Sequence, residues 1–168
     1  IGGQIGARRP AREHPRALKL LRHTLRSQPH SAEAWSTVAD FHWQRGAYAW
    51  ATQMYRIAST LQPTHEGAAL AYFRAARKVR EEERAVAYLR GRVAGLGRLS
   101  RAPWQTIYFG LEELDRRAKG LRELQAALAA YPDDVGLMLF AARQFARAGD
   151  FEHAWPLLDG ARQGTRRS

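Results

Sequence analysis

The sequence predicts an all-α fold, an α-solenoid built from antiparallel helix pairs. The first observation is a regular spacing: Pro63 lies 34 residues after Pro29, and 69 residues separate both Trp35 from Trp104 and Pro63 from Pro132. Because 69 is twice 34 plus one, a 34-residue period runs along the chain with a single inserted residue. The second observation is that apolar residues within each period recur at intervals of three and four, the spacing of an amphipathic helix. Together these features predict a repeat whose units stack.

The first complete unit spans residues 32–65, and each of its two helices has one apolar face. The residues on these faces are Trp35, Val38 and Ala39 in the first helix and Ala51, Tyr55 and Ala58 in the second. Gly46 lies between the helices and suits the positive φ that often ends a helix. Pro63 stops the second helix, because the residue before a proline avoids helical geometry.

Three further units repeat this pattern with different fidelity. Residues 66–100 form the weakest copy, which has neither a turn glycine nor a closing proline, and we expect its acidic run 81–83 to be a solvated turn. The matching residues are Tyr72, Ala85 and Leu89 in 66–100; Trp104, Ile107, Leu111, Gly120, Leu124, Ala127 and Pro132 in 101–134; and Met138, Ala141, Ala142, Phe145, Ala154, Leu158 and Ala161 in 135–168.

Two segments precede the first complete unit. Residues 14–31 match the second helix of a further unit, because Ala17, Leu21 and Thr24 are followed by a closing Pro29. Residues 1–13 are rich in Gly, Arg and Pro, and we expect them to form a flexible basic lead-in.

Small residues predict where the two helices of a unit approach each other closely. In the first unit Ala39 stands opposite Ala51, and neither side chain would hold the helices apart. In the third unit the large Tyr108 stands opposite Gly120. We therefore expect the glycine to make room for the tyrosine ring.

Two local features predict departures from regular helices. Pro156 lies inside the second helix of the last unit, and we expect it to delay or kink that helix unless it falls in the first turn. Gly91, Gly95 and Gly97 cluster in the segment GRVAGLGRLS. This segment lacks the preceding strand and the Gly-Lys-Ser/Thr ending of a phosphate-binding loop, so we expect it to connect two units as a loop.

These patterns closely resemble the tetratricopeptide repeat (TPR), a helix–turn–helix unit of about 34 residues. In residues 32–65, Trp35 occupies the tryptophan position of the repeat, Gly46 its turn and Pro63 its closing proline. The resemblance extends over about residues 14–168, or four and a half units. It implies a right-handed superhelix whose concave groove is lined by the first helix of each unit.

Composition excludes several classes of protein. The 168 residues are 45% apolar and include five Trp, six Tyr and six Phe, which is too much core material for a disordered chain. Without cysteine there is no disulfide framework and no thiolate metal site. No apolar run approaches the roughly 20 residues that span a bilayer, so we expect no membrane span. The chain begins at Ile1, and we expect it to be a piece of a longer protein, cytoplasmic with a periplasmic location left open.

The chain is strongly basic, with a formal net charge of +11 from 27 Lys and Arg against 16 Asp and Glu. Residues 1–31 contain seven basic residues and one acidic residue, and residues 66–100 contain eight and four. Arginine forks suit carboxylates and phosphates alike, so the charge favours an acidic partner. The alternative is that these arginines lie on solvated helix faces and bind no specific partner.

The sequence contains no recognisable catalytic or cofactor motif. Its six histidines show no metal-ligand spacing, and no Gly-x-Ser-x-Gly elbow is present. Glu112, Glu113 and Asp115 are neighbours without a cleft to make them an acid–base pair. We therefore expect no enzyme activity, no cofactor and no metal.

The TPR resemblance implies which residues face the groove. Those that we predict to bind a partner are Asp40, Trp43 and Gln44 in the first unit; Arg74, Arg77 and Lys78 in the second; Phe109 in the third; and Arg143 and Arg147 in the fourth. The same face also includes Glu33, Ser36, Leu70, Gln105, Glu112, Glu113 and Leu139. Trp43 is the sharpest candidate, with packing against a neighbouring unit as its alternative role. The Lys and Asn residues of the carboxylate clamp found in one TPR subfamily are missing.

The predicted function is a non-catalytic scaffold that binds a peptide or protein segment, acidic or amphipathic, in the groove. Binding of nucleic acid or another polyanion is the alternative, although no base-reading pair recurs from unit to unit. Self-association is a third possibility, because an array of this kind leaves uncovered apolar faces at its ends.

Overall fold

The structure, a computed structural model, describes residues 14–165 and folds them into nine α-helices without strands. The helices are α1 (His14–Ser27), α2 (Ala32–Gln44), α3 (Tyr48–Leu61), α4 (Glu66–Lys78), α5 (Glu82–Leu96), α6 (Ala102–Glu112), α7 (Arg117–Ala130), α8 (Val135–Arg147) and α9 (Phe151–Thr165). Each helix packs on the next one along the chain, and α4 also contacts α6. The all-α prediction is confirmed, while the lead-in 1–13 lies outside the described residues.

The prolines end second helices as predicted. Helix α3 ends at Leu61, two residues before Pro63, and α7 ends at Ala130, two residues before Pro132. The residue before each proline is disfavoured in helical geometry, so the helix stops and the chain turns towards the next unit.

A residue in the left-handed backbone region follows each of the four first helices, α2, α4, α6 and α8. Gly46 and Gly149 have φ values of 74° and 78°. In the two units without a turn glycine, Arg80 and Asp115 adopt the same geometry, with φ values of 61° and 58°. The acidic run 81–83 is therefore not the turn that we expected, because Arg80 makes the turn and α5 already begins at residue 82. Carboxylates in that first turn are favoured by the positive end of the helix dipole.

The first helices also begin in a common way, with a side chain that accepts a hydrogen bond from a free backbone N–H. Ser31 accepts from Ala34 N at 3.1 Å, and His65 accepts from Ala68 N through Nδ1 at 3.1 Å. Asp134 likewise caps α8, accepting from Leu137 N at 2.9 Å. In α6 the N-cap Arg101 makes no such bond, but the preceding Ser100 accepts from Ala102 N at 3.1 Å. These bonds satisfy donors that a helix start otherwise leaves unpaired.

The two tryptophans that define the repeat have equivalent surroundings. Trp35 Nε1 donates to the carbonyl of Pro29 at 2.8 Å, and Trp104 Nε1 donates to the carbonyl of Gly97 at 3.0 Å. The first bond reaches back six residues and the second seven. The inserted residue therefore lies between Gly97 and Trp104, where the chain passes from α5 to α6.

Small residues allow the helices of a unit to pack closely, as predicted. Ala39 and Ala51 are both fully buried in the larger core cluster. A Cβ atom on Gly120 would lie 3.0 Å from Cδ2 of Tyr108, so this glycine does make room for the ring.

Arg92 occupies a position that holds a small residue in other second helices. The equivalent residues Ala58 and Ala127 are fully buried, and Arg92 is also only 7% exposed although its side chain is long and charged. Its Nη2 donates to Glu66 Oε1 at 2.6 Å, and Thr106 Oγ1 donates to the other oxygen of Glu66 at 2.6 Å. A buried polar link thus joins α4, α5 and α6 where other units use apolar contact.

One expectation about irregular segments is wrong. Gly91 and Gly95 lie inside α5 rather than in an inter-unit loop, and Gly97 forms the C-cap of that helix. Of the delay or kink expected at Pro156, the delay does not occur, because α9 begins at Phe151, and the kink stays a prediction. Tertiary packing overrides the low helix propensity of these residues.

Replacing Arg80 by glycine should stabilise the protein. Glycine adopts positive φ without the steric cost that a Cβ atom imposes, so we expect Arg80→Gly to raise the free energy of unfolding by about 0.5–1 kcal/mol. Gly46→Ala is the reverse control, because no atom lies within 4 Å of the added Cβ and only backbone strain should act. Urea unfolding measures both variants. A loss of stability in Arg80→Gly would contradict the role assigned to this turn.

Stability should also depend on the ionised form of Asp134. Burial alone would raise its pKa, but hydrogen bonds from Arg101 and from the Leu137 N–H outweigh burial and lower the pKa of this carboxyl. The ionised Asp134 carboxylate therefore makes its full contribution to the free energy of unfolding above the unfolded pKa of about 3.9. This contribution is lost as the pH falls through the lower folded pKa. We expect Asp134→Asn to cost about 0.5–1 kcal/mol at pH 7 and less at pH 3.

The neighbouring exposed Asp133 provides the matched control. Asp133→Asn removes the same charge, and we expect it to change the melting temperature little at either pH. Thermal melts followed by circular dichroism at pH 7 and pH 3 make the comparison. Equal effects of the two substitutions would show that the pairing of Asp134 with Arg101 does not contribute.

Candidate partner-binding surface

The predicted binding residues lie on the four first helices, and the structure links those on α4, α6 and α8. We call this the first-helix surface: Arg74, Arg77, Phe109, Glu112, Glu113, Leu139, Phe140, Arg143 and Arg147. Most of these side chains touch a residue of the neighbouring unit, so the surface is continuous across the junctions described next.

At the α4–α6 junction two arginines hold one carboxylate. Arg74 Nε and Nη2 lie 2.8 Å and 2.7 Å from Glu113 Oε1, and Arg77 Nη1 lies 2.9 Å from Glu113 Oε2. Both oxygens of Glu113 are therefore engaged. The two predicted arginines are not free cations but are paired across the junction.

At the α6–α8 junction charges are paired more loosely. Arg147 Nη2 lies 3.7 Å from Glu112 Oε1, and its Nη1 donates to Gln144 Oε1 at 3.1 Å. Tyr108 also donates to Gln144 Oε1, at 3.2 Å. Burial, together with the nearby charge of Glu112, raises the pKa of Tyr108, so its hydroxyl stays protonated and keeps donating.

An apolar patch lies next to these charges. The rings of Phe109 and Phe140 meet edge to face with centroids 5.6 Å apart, and Phe140 also meets Tyr108 at 5.7 Å. Phe109 remains 37% exposed, and Leu139, the residue before Phe140, is 47% exposed. We call Phe109, Leu139 and Phe140 the apolar patch.

Trp43 is only half-exposed, since it packs against the core cluster of the first units. Its ring meets Tyr48 edge to face at 5.1 Å, and Lys78 Nζ lies 5.8 Å from the centroid of the Tyr48 ring. Packing, the alternative role considered for Trp43, is therefore visible in the structure. Its role in binding stays a prediction.

Asp40 and Gln44 lie on a different part of the molecule. Together with Leu20, Leu21, Thr37 and Phe41 they line an open cavity of about 470 Å³ between α1 and α2. The Tyr55 hydroxyl donates to Asp40 Oδ1 at 2.5 Å, and burial, with this bond and the Asp40 charge, raises the pKa of Tyr55. Among the described residues no hydrogen bond or ion pair joins Asp40 or Gln44 to the first-helix surface.

Arg143 differs from the other predicted arginines. It is exposed on α8, and within residues 14–165 none of the ion pairs involves it. It follows Phe140 by three positions on the same helix, so it lies beside the apolar patch. Arg143 is therefore a predicted cation whose charge no described carboxylate neutralises.

Sequence reasoning missed two residues that the surface depends on. Phe140 completes the apolar patch, and Gln144 joins Tyr108 to Arg147. The only signal was the spacing of Phe140, Gln144 and Arg147 on one stretch of α8, which places them close together. Which of them touch α6 depends on how the two helices pack.

Two features are absent from the part of the chain that the structure describes. Residues 14–165 contain no group of three or more His, Asp or Glu side chains placed to hold a metal ion. No helix within the same range is both long enough and apolar enough to cross a bilayer.

Comparison with known proteins gives matches at the level of structure. No protein-family model matches the chain, and no curated protein matches its sequence. MamA from Desulfovibrio magneticus RS-1 is similar over 92% of this chain and 86% of its own, with 17% identity and a TM-score of 0.54. The MamA RS-1 ArsTM double mutant matches over 91% and 85%, with 18% identity and a TM-score of 0.53. Another MamA crystal structure matches over 90% and 88%, with 13% identity and a TM-score of 0.52.

Structural similarity at this level of sequence identity supports a shared fold and carries no information about a binding partner. The matches agree with the all-helical repeat described above. The chain therefore has the fold of a tetratricopeptide-repeat α-solenoid, as its sequence predicts.

Proposed function

We propose that the protein is a non-catalytic interaction scaffold that binds a segment of another protein on its first-helix surface. The observation that supports this proposal is the apolar patch, where Phe109 and Leu139 are 37% and 47% exposed. Aromatic side chains flanked by arginines are typical of the centre of a protein-binding surface, because aromatic rings bury much apolar area and arginine forks pair with carboxylates. An extended or helical segment would cover the patch.

The charge around the patch favours an acidic or amphipathic partner. Arg143 lies on one side without an ion pair among the described residues, and Arg74 and Arg77 lie on the other. The net charge of +11 would speed the approach of such a partner. An apolar residue would fill the patch, while carboxylates would pair with the arginines.

Selection of peptides provides the test, because no partner needs to be known beforehand. Phage-displayed random dodecapeptides are selected on the wild-type protein, and the enriched peptides are synthesised with a fluorescent label. We expect the enriched peptides to combine an aromatic or large aliphatic residue with Asp or Glu. Fluorescence anisotropy should show that Phe109→Ala weakens their binding at least tenfold, because truncating a buried aromatic anchor costs about 2 kcal/mol or more.

Trp50→Ala is the matched control for Phe109→Ala. Trp50 is a more exposed aromatic residue, 58% exposed, but it lies on the second helix α3. Its loss should leave peptide binding within twofold of the wild type. Failure to enrich any peptide, or equal losses from the two substitutions, would contradict binding on the first-helix surface.

The alternative, polyanion binding, is supported by a different region of the molecule. Helix α1 contains no acidic residue, and the basic residues Lys19, Arg22 and Arg26 are exposed on it. A basic helix face of this kind can follow a chain of phosphates.

Salt dependence separates the two candidate functions. If these three basic residues of α1 bind polyanions, a single-stranded 20-mer oligonucleotide should bind at 50 mM salt and lose about twentyfold in affinity at 200 mM. Lys19→Ala combined with Arg22→Ala should weaken that binding, whereas Phe109→Ala should not. Binding of the 20-mer that changes little with salt, or that needs Phe109, would contradict the α1 site.

A further inference from the structure

We infer that Arg74 and Arg77 form a carboxylate-binding subsite of the first-helix surface and that Glu113 occupies this subsite in the free protein. In this view Glu113 stands in for the carboxylate of a ligand and is displaced when the ligand binds. The inference rests on the proposed function and adds to it the chemistry of the partner and the residue with which the partner competes.

The geometry of the three side chains is that of a complete carboxylate site. One oxygen of Glu113 accepts from Arg74 and the other accepts from Arg77, at distances between 2.7 Å and 2.9 Å. The arginines lie three positions apart near the end of α4, so they project from neighbouring positions of one helix face. Any carboxylate placed at the same point would meet the same donors.

The carboxylate of Glu113 does not stabilise its own helix, α6. It is the C-cap of α6, and a negative charge at a helix C-terminus is disfavoured by the helix dipole. The carboxylate of Asp134 differs, because it both pairs with Arg101 and caps α8. The carboxylate of Glu66 is likewise held by both Arg92 and Thr106.

The pair is also accessible, which a displacement mechanism requires. The side chains of Arg74, Arg77 and Glu113 are 52%, 40% and 25% exposed. Ion pairs this open to solvent are weak, because water and salt screen the charges and long side chains lose entropy on pairing. A ligand carboxylate that is anchored elsewhere can therefore replace Glu113 at small cost.

The anchor is the apolar patch. Phe109 precedes Glu113 by four positions, about one helical turn or 5–6 Å between Cβ atoms. In an extended segment, side chains two residues apart lie on one face about 7 Å from each other. We therefore expect a ligand that carries an apolar residue and, two positions away, an Asp or Glu.

The test uses an enriched dodecapeptide from the selection described above and its Glu→Gln or Asp→Asn counterpart. If Glu113 competes with the ligand, Glu113→Gln should tighten binding of the acidic peptide about fivefold or more. The neutral counterpart should gain less than twofold. Arg74→Ala combined with Arg77→Ala should weaken the acidic peptide and leave the neutral one nearly unchanged.

Glu123→Gln is the matched control, because it removes one negative charge from an inter-unit ion pair outside the first-helix surface, where Arg90 Nε lies 3.1 Å from Glu123 Oε1. This control should change neither affinity by more than twofold, and melting curves should show that both variants stay folded. Equal gains from Glu113→Gln and Glu123→Gln, equal gains for the two peptides, or weaker binding to Glu113→Gln would each overturn the inference. Failure of the selection itself would instead count against the proposed function.

Discussion

The fold depends on one constraint: every helix pair has an apolar face that only the neighbouring unit can cover. Burial of that face requires the helices to approach closely, and this is why fully buried alanines such as Ala39, Ala51 and Ala127 recur. Hydrogen bonds at the N-terminus and the left-handed turn at the C-terminus then fix where each first helix begins and ends. The outer faces of the helices stay uncovered, and the proposed binding surface is the part of them that lies on the first helices.

Sequence pattern predicted the parts of the fold that recur. Trp35 and Trp104 could be matched because an aromatic residue at a fixed spacing is visible without a structure. Arg80 could not be recognised as a turn residue, because the surrounding chain imposes a positive φ that its type disfavours. Arg92 was equally hidden, since a long charged side chain in a small-residue position is tolerated only because Glu66 is there to receive it.

The candidate site was predictable as a surface but not as a set of interactions. The resemblance to the tetratricopeptide repeat placed Arg74, Arg77 and Phe109 on the first helices, where the structure also has them. The pairing of both arginines with Glu113 joins residues 36 and 39 positions apart and depends on how α4 packs on α6. Such pairings follow from side-chain conformations in the assembled molecule, which spacing alone does not encode.

Helix α6 contributes to both core clusters of the described chain. Ile107 and Leu111 are buried with the first two complete units, while Tyr108 is buried with α7, α8 and α9. Unfolding of either half therefore removes the packing contacts on one side of the same eleven-residue helix. We therefore expect the array to unfold cooperatively rather than one helix pair at a time. Amide hydrogen exchange should be slowest in α6.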